Sequence, residues 1–205
     1  GYGCCAIVRR AYANVAVTGN NNVGGLIGQS VDDVISDVYS TGTVTGNDSV
    51  GGLIGMIDAY STTTVTRAYA AGLVTGITNV GGLIGQDLTT ASTTNSYWDM
   101  NRSDQASSAG GTGKTTAQMM QLSTYAGWNI GLAGTLGATW QIVEGSGYPQ
   151  LRGLPASTPI PIPDNGTAGF EESPAYRSVM VYLGGLVRPA KEDKDAERAA
   201  RLNEA

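Results

Sequence analysis

The hexapeptide VGGLIG stands three times in the chain without a change: Val23, Gly24, Gly25, Leu26, Ile27 and Gly28; Val50, Gly51, Gly52, Leu53, Ile54 and Gly55; Val80, Gly81, Gly82, Leu83, Ile84 and Gly85. Each copy follows a tyrosine, a short Val/Thr run, a Thr-Gly turn and three mostly polar residues, as in AYANVAVTGNNN, VYSTGTVTGNDS and AYAAGLVTGITN. The tyrosines, Tyr12, Tyr39 and Tyr69, are 27 and 30 residues apart, and Tyr97 in NSYWDM follows 28 later. A period of this length, held through three copies, marks a repeat architecture and outranks any local reading of secondary structure.

The unit lacks the run of helix formers that a helical repeat needs, whereas paired glycines among Thr, Val and Tyr suit strands. Ala11, Ala13, Val15 and Val17 alternate with Tyr12, Asn14, Ala16 and Thr18, and the later copies keep this phase. One face is therefore small and apolar, the other rich in Tyr and Thr, as in a strand buried on one side. A narrow coil stacked about 4.8 Å from its neighbour has room inside only for residues such as Ala, Val and Gly, with like lying over like. The reading predicts an inner ladder of Val17, Val44 and Val74, and an outer, surface ladder of Tyr12, Tyr39 and Tyr69. Those rings would pack on one another or stack on sugars. Leu and Ile are adjacent in VGGLIG and cannot share one face of a flat strand, so either the glycine pair makes a bulge or the exposed side is covered.

GGLIG preceded by Y-x-x-G-x-V-T-G resembles the GLUG repeat of bacterial surface proteins, found in filamentous-haemagglutinin-like exoproteins and some large secreted proteases. The resemblance covers residues 11–97. Beyond it, NSYWDMNRSDQASSAGGTGKTTAQMMQLSTYAGW and ATWQIVEGSGYPQLR resemble the segment that often follows the last repeat in secreted haemagglutinin-like adhesins. The resemblance implies an all-β fold, a right-handed parallel β-solenoid (β-helix) exported to the cell surface, and it implies no catalytic residue.

Composition agrees with a thread-like β protein: 205 residues with 30 glycines, one Phe, no His and 14% charged residues. A net charge of −5 without a basic stripe argues against a nucleic-acid partner. No run of eighteen apolar residues exists, so no transmembrane helix is expected. The opening GYGCCAIVRR has no signal-peptide features and reads as the end of an earlier coil, with Arg9 and Arg10 at a corner, so the chain reads as the C-terminal part of a longer protein. Cys4 and Cys5 are neighbours, which disfavours a bond between them. They read as small buried residues or, alternatively, as a source of an intermolecular disulfide.

In order, residues 1–95 form the solenoid, with coils over 11–37, 38–66 and 67–95. Their third sides, QSVDDVISD, MIDAYSTTTVTR and QDLTTASTTN, differ in sequence and length, which marks the side adapted to a partner. Residues 96–154 read as a small mixed capping region. It has one short helix of about two turns, N-capped by Thr115 or Thr116 and ended by Gly127, and strands at 140–143 and 148–151. Its Trp98, Tyr125, Trp128, Trp140 and Tyr148 are expected to shield the open end of the solenoid. Residues 155–169 are a Pro-rich linker. In the tail, 170–205, the apolar segment 176–187 docks on its own solenoid or joins a neighbour by strand addition, and a charged helix or disordered end follows.

Little catalytic chemistry is on offer. GGTGKTT at 110–116 resembles a phosphate loop, but Ser108 stands where the first Gly is needed, and the residues serve as loop plus helix cap. Without His there is no imidazole ligand and no Ser/His/Asp triad. Asp32, Asp33 and Asp37, or Asp99 and Asp104, are the candidates to hold calcium in a loop, but without EF-hand or GGxGxD spacing they read as solvated turn residues. A glycosidase needs two facing carboxylates, and Glu144, the sole Glu before the tail, has no evident mate. The sequons at Asn47, Asn101 and Asn165 are what this composition gives by chance. No catalytic, cofactor-binding or metal-binding residue and no cofactor is expected. The reading is a secreted adhesin or extracellular structural protein whose partner is a host, matrix or neighbouring-cell surface, protein or glycan. A filament subunit that self-associates and a carbohydrate-binding or carbohydrate-processing solenoid are the alternatives.

Overall fold

In the computed structural model, which describes residues 2–89 and 91–154, each repeat makes one turn of a β-solenoid. The linker and tail, including 176–187 and Asn165, lie outside the described residues. Each turn contributes one strand to each of four parallel sheets. The tyrosine sheet holds Ile7–Ala13, Val34–Ser40 and Thr64–Ala70, then Tyr97–Asp99 and Thr112–Lys114, with Ser92–Thr94 also paired to the third strand. Next come a two-residue-wide sheet of Val17–Thr18, Val44–Thr45 and Val74–Thr75, and a sheet of Asn21–Gly24, Asp48–Gly51 and Thr78–Gly81. The fourth sheet contains Tyr2–Cys4, Ile27–Val31, Ile54–Ile57 and Ile84–Asp87. Like lies over like: Val23, Val50 and Val80 are in register, as are Val17, Val44 and Val74, and Tyr12, Tyr39, Tyr69 and Tyr97.

The turns close at corners that the sequence repeats. Arg10, Asp37, Arg67 and Asn95 all have φ between 47° and 56°, and Asn22, Ser49 and Asn79 have φ between 50° and 53°. Asn and Asp tolerate this left-handed region best, which explains most of these identities. The two arginines are repaid by their side chains. Arg67 grips Asp37 with a fork of 2.8 and 2.7 Å hydrogen bonds, and Arg10 donates to the Arg152 carbonyl at 2.7 Å.

VGGLIG is itself a corner. One strand ends at Gly24, Gly51 or Gly81 and the next starts at Ile27, Ile54 or Ile84, so the chain turns between them. The turn lets Leu53 with Ile54, and Leu83 with Ile84, all bury completely. Neither a bulge in one strand nor a cover was needed. Glycine is required here by backbone approach: a Cβ on Gly52 would meet the Gly82 carbonyl and lie 2.8 Å from Ala70 Cβ. These Leu and Ile residues pack with Ile35, Val38, Ile57, Val65, Ala68 and Ala70, while Val23, Val44, Val50 and Val74 make a second, smaller core. Burying each large aliphatic is worth ~1.5–3 kcal/mol against leaving it exposed.

The third side carries a buried polar ladder. Asp33 is 2% exposed, accepts from the Ala6 N–H and the Ser30 hydroxyl, and sits beside Thr63 and Ser61. The expectation of solvated turn carboxylates is therefore wrong for Asp33, because the coil interior supplies donors enough to bury it.

Residues 96–154 do two jobs. Residues 105–114 cover the open edge of the third coil: Gly82 N–H donates to the Ser107 carbonyl, the Ser108 hydroxyl accepts from Leu83 and Ile84, and Thr112–Lys114 pairs with Tyr97–Asp99. The remainder does not sit on that end. It packs sideways across the tyrosine sheet, with a small mixed sheet of Ile130–Leu132, Trp140–Ile142 and Gln150–Leu151. The single two-turn helix is also corrected. There are two one-turn helices, Met100–Ser103 and Thr116–Met119, and a 3-10 turn, Leu122–Tyr125. Thr115 caps the second through a capping box with Gln118. That helix stops early because the carbonyls of Gln118 and Met119 are taken by the Thr124 and Tyr125 hydroxyls, both at 2.6 Å.

Candidate binding surfaces

Three places follow from this fold. The first is the tyrosine ladder. Tyr12, Tyr39 and Tyr69 stack with ring centroids 5.1 and 4.9 Å apart, planes within 9° and 2° of parallel. They are not a surface: Tyr39 and Tyr69 are each 1% exposed, because Trp140 leans on both, at 5.8 and 6.1 Å, and Tyr148 stacks on Tyr69. The Tyr69 hydroxyl donates to the Pro149 carbonyl at 2.8 Å. Burial drives its pKa well above the ordinary phenol value. The alternation in sequence showed two unlike faces; it did not reveal that both would be covered.

Asp37 ties this contact to the coil corner. It holds Arg67 and accepts from the Trp140 indole N–H at 2.9 Å. Burial pushes its pKa up, but the hydrogen bonds of Arg67 and Trp140, with the charges of Arg67 and Arg9, outweigh that and leave it lowered.

The second place is the variable side. In-register strands fix its limits: 31–33 in the first coil, 58–63 in the second and 88–91 in the third, each lying between matched strand residues. All the difference among the 27-, 30- and 28-residue spacings falls there. At the tip of the longest stands Tyr60, 99% exposed with φ 66°, and Leu88 is exposed at the start of the corresponding segment in the third coil. Asp32 is bound here too, accepting from the Thr62 N–H and hydroxyl, which lowers its pKa.

The third is a cavity of about 440 Å³ between the tyrosine sheet and the C-terminal block. Thr41, Tyr69 and Ala71 line it from the solenoid; Met120, Val143, Gln141, Tyr148 and Gln150 line it from the block, and Arg102 is its only charged lining residue. Arg102 lies over the Tyr148 ring, 5.7 Å from its centre. Both are set by Asp99, which is fully buried, caps Met100–Ser103 through the Asn101 and Arg102 N–H groups, and accepts from Thr116 and Tyr148 hydroxyls. Asp99 is thus a second carboxylate that is buried, not solvated. Burial, with the Asp99 carboxylate beside it, raises the Tyr148 phenol. Nothing in the sequence marked Asp99 as a hub, because its partners Thr116 and Tyr148 lie 17 and 49 residues away.

The other residues singled out fall elsewhere. Cys5 has an exposed side chain at a corner with φ 58°, and the Cys4 side chain lies outside the described residues. In GGTGKTT, Lys114 lies over the Tyr97 ring and Thr115 is the helix cap. Glu144 is exposed, accepting from the Leu122 N–H at 3.1 Å. Asn47 bonds Asn20, and Asn101 accepts from the Thr116 N–H. Among the described residues no group of three or more Cys, Asp or Glu is placed to hold a metal ion, and no helix is long and apolar enough to cross a membrane.

Comparison with curated proteins and with solved structures gives no match. Against protein families, the GLUG motif matches residues 19–45, a span that runs from the Thr-Gly turn of the first coil through VGGLIG to the same turn of the second. One full turn of this β-solenoid is therefore a GLUG motif, and motif and solenoid together fit a surface or extracellular repeat protein.

Proposed function

We propose that the chain is a secreted bacterial adhesin that binds a host, matrix or neighbouring-cell surface and turns over no substrate. The observation that supports this reading most is the confinement of all coil-length variation to one side, where Tyr60 stands clear on a rigid stack. Loops that vary on a fixed scaffold are where recognition concentrates. The test is immobilised protein exposed to matrix proteins, cells and a glycan array, with release of fragments measured in parallel. Binding that falls on Tyr60→Ser, without a change in unfolding, supports the reading. Release of fragments that stops on Glu144→Gln would overturn it in favour of a carbohydrate-processing solenoid.

A further inference from the structure

The cavity beside the tyrosine ladder brings together several polar side chains that the fold does not use. Its volume lies within the ~300–1,000 Å³ of small-molecule sites. Gln141 and Gln150 face each other across the antiparallel pair, and both line it. Among the described residues neither side-chain amide has a hydrogen-bond partner. Arg102 has no carboxylate within 4 Å; the one ion pair among the described residues is Arg67 with Asp37. The guanidinium lies against the Tyr148 ring, its residue belongs to a capped helical turn, and among the described residues no anion stands beside it. All three residues are partly exposed, so their polar groups are open to solvent and to a ligand.

We propose that this cavity binds an acidic sugar, Arg102 taking the carboxylate and the Gln141 and Gln150 amides taking ring hydroxyls. The guanidinium selects for a carboxylate through a two-pronged contact. Two amides, each with donors and an acceptor, suit vicinal hydroxyls, which also donate and accept. Met120, Val143 and Ala71 supply the apolar wall against which the C–H side of a sugar ring lies. The assignment deepens the binding reading above and rests on it.

Calorimetric titration of the 205-residue protein tests it, with glucuronic and galacturonic acids as probes and glucose and galactose as their neutral parents. Acetate tests whether a bare carboxylate suffices, and oligosaccharides ending in the same uronic acids separate a free sugar from a glycan terminus. Both acids bind, and the neutral parents bind at least about tenfold more weakly, as expected for a charge-assisted hydrogen bond. Arg102→Met keeps the aliphatic packing on Tyr148 and weakens the acids by about tenfold or more, with Arg102→Lys between. Gln150→Leu weakens them a few fold, and Lys114→Met, a charge lost elsewhere, changes nothing. Circular dichroism confirms that each variant folds. No heat with either acid, equal binding of the neutral parents, acetate as tight as the uronates, or binding indifferent to both Arg102→Met and Gln150→Leu would each sink the proposal. If surface binding persists in Arg102→Met while the uronates never bind, only the cavity assignment fails; if the uronates bind and no surface does, only the adhesion reading fails.

Discussion

The coils and the block laid across them bury themselves by opposite means. The coils use small and aliphatic residues in registers that repeat, so that one sheet position is filled by Val17, Val44 and Val74 in turn. The block has no period; it gathers Tyr125, Trp128, Trp140, Ile142 and Leu151 into one cluster against Tyr39 and Tyr69. Inside the three coils the core is aliphatic, and an aromatic ring, Trp98, joins it only from the turn that covers the open end. The tyrosines of the coils point outward, and a second layer must come to them. The stack supplies regularity, and the block turns one of its faces into an interior.

Removing the centre of that second layer should do most damage. Trp140→Ala empties a fully buried site and costs about 3–5 kcal/mol in urea unfolding. It also leaves Tyr39 and Tyr69 open to solvent, seen as a loss of near-ultraviolet dichroism and as new reactivity to nitration. If the coils keep their far-ultraviolet signal while this happens, the two layers are separable; a single joint transition would show that they are one cooperative unit.

Alkali attacks the same layer. Folding raises the phenol pKa values of Tyr69, Tyr125 and Tyr148, so their contribution is intact below the ordinary value of 10.0 and falls as pH climbs towards the folded values. The fall is up to ~1.4 kcal/mol per pH unit for each tyrosine. A pH titration of stability in Trp140→Ala should show a shallower alkaline slope.

Glycine exchanges sharpen the contrast from the other side. Gly52→Ala drives a methyl into the Gly82 carbonyl, where the next coil's backbone cannot yield, at a cost of about 1–3 kcal/mol. Gly145→Ala, at φ +74° in the block with open space around it, should cost only the ~1 kcal/mol of a left-handed alanine. Equal losses would mean that contact between coils is looser than the registers imply.

Smaller still is Asp37→Asn, which weakens the grip of Arg67 but leaves an oxygen for Trp140; about 1 kcal/mol is expected at pH 7 for this partly buried pair. Because folding lowers the Asp37 pKa, its contribution is present above the ordinary 3.8 and vanishes as pH drops through the folded value. The variant should match the parent protein in acid. Tyr60→Ser, wholly exposed, should change stability by less than ~0.5 kcal/mol.

The stack could be read from the chain because its cause is local and repeated. Three copies of VGGLIG and a row of tyrosines at nearly constant spacing demand that Val23, Val50 and Val80 lie in register, and they do. The corner at Arg10 was legible as a break, though not as one of four residues sharing a left-handed backbone. What stayed hidden depends on contacts between distant residues. Trp140 reaches Asp37 across 103 positions and Tyr69 reaches Pro149 across 80, and no spacing rule encodes either. Five aromatics in 96–154 announced that a partner surface was needed; the open end and the tyrosine face were both candidates, and pattern alone could not rank them. The cavity was invisible for the same reason, since Arg102, Gln141 and Gln150 meet only through that docking.

One detail of the second coil reaches further. Between Ile57 and Thr64 the backbone leaves one sheet and enters the next after six residues, where the first coil uses three, and no paired strand on either side has moved. The frame therefore tolerates splicing at that point while every ladder above and below holds its place. A foreign peptide grafted beside Tyr60 would be held out as a display loop, and a whole turn duplicated or excised would lengthen or shorten the rod without rewriting a single neighbour.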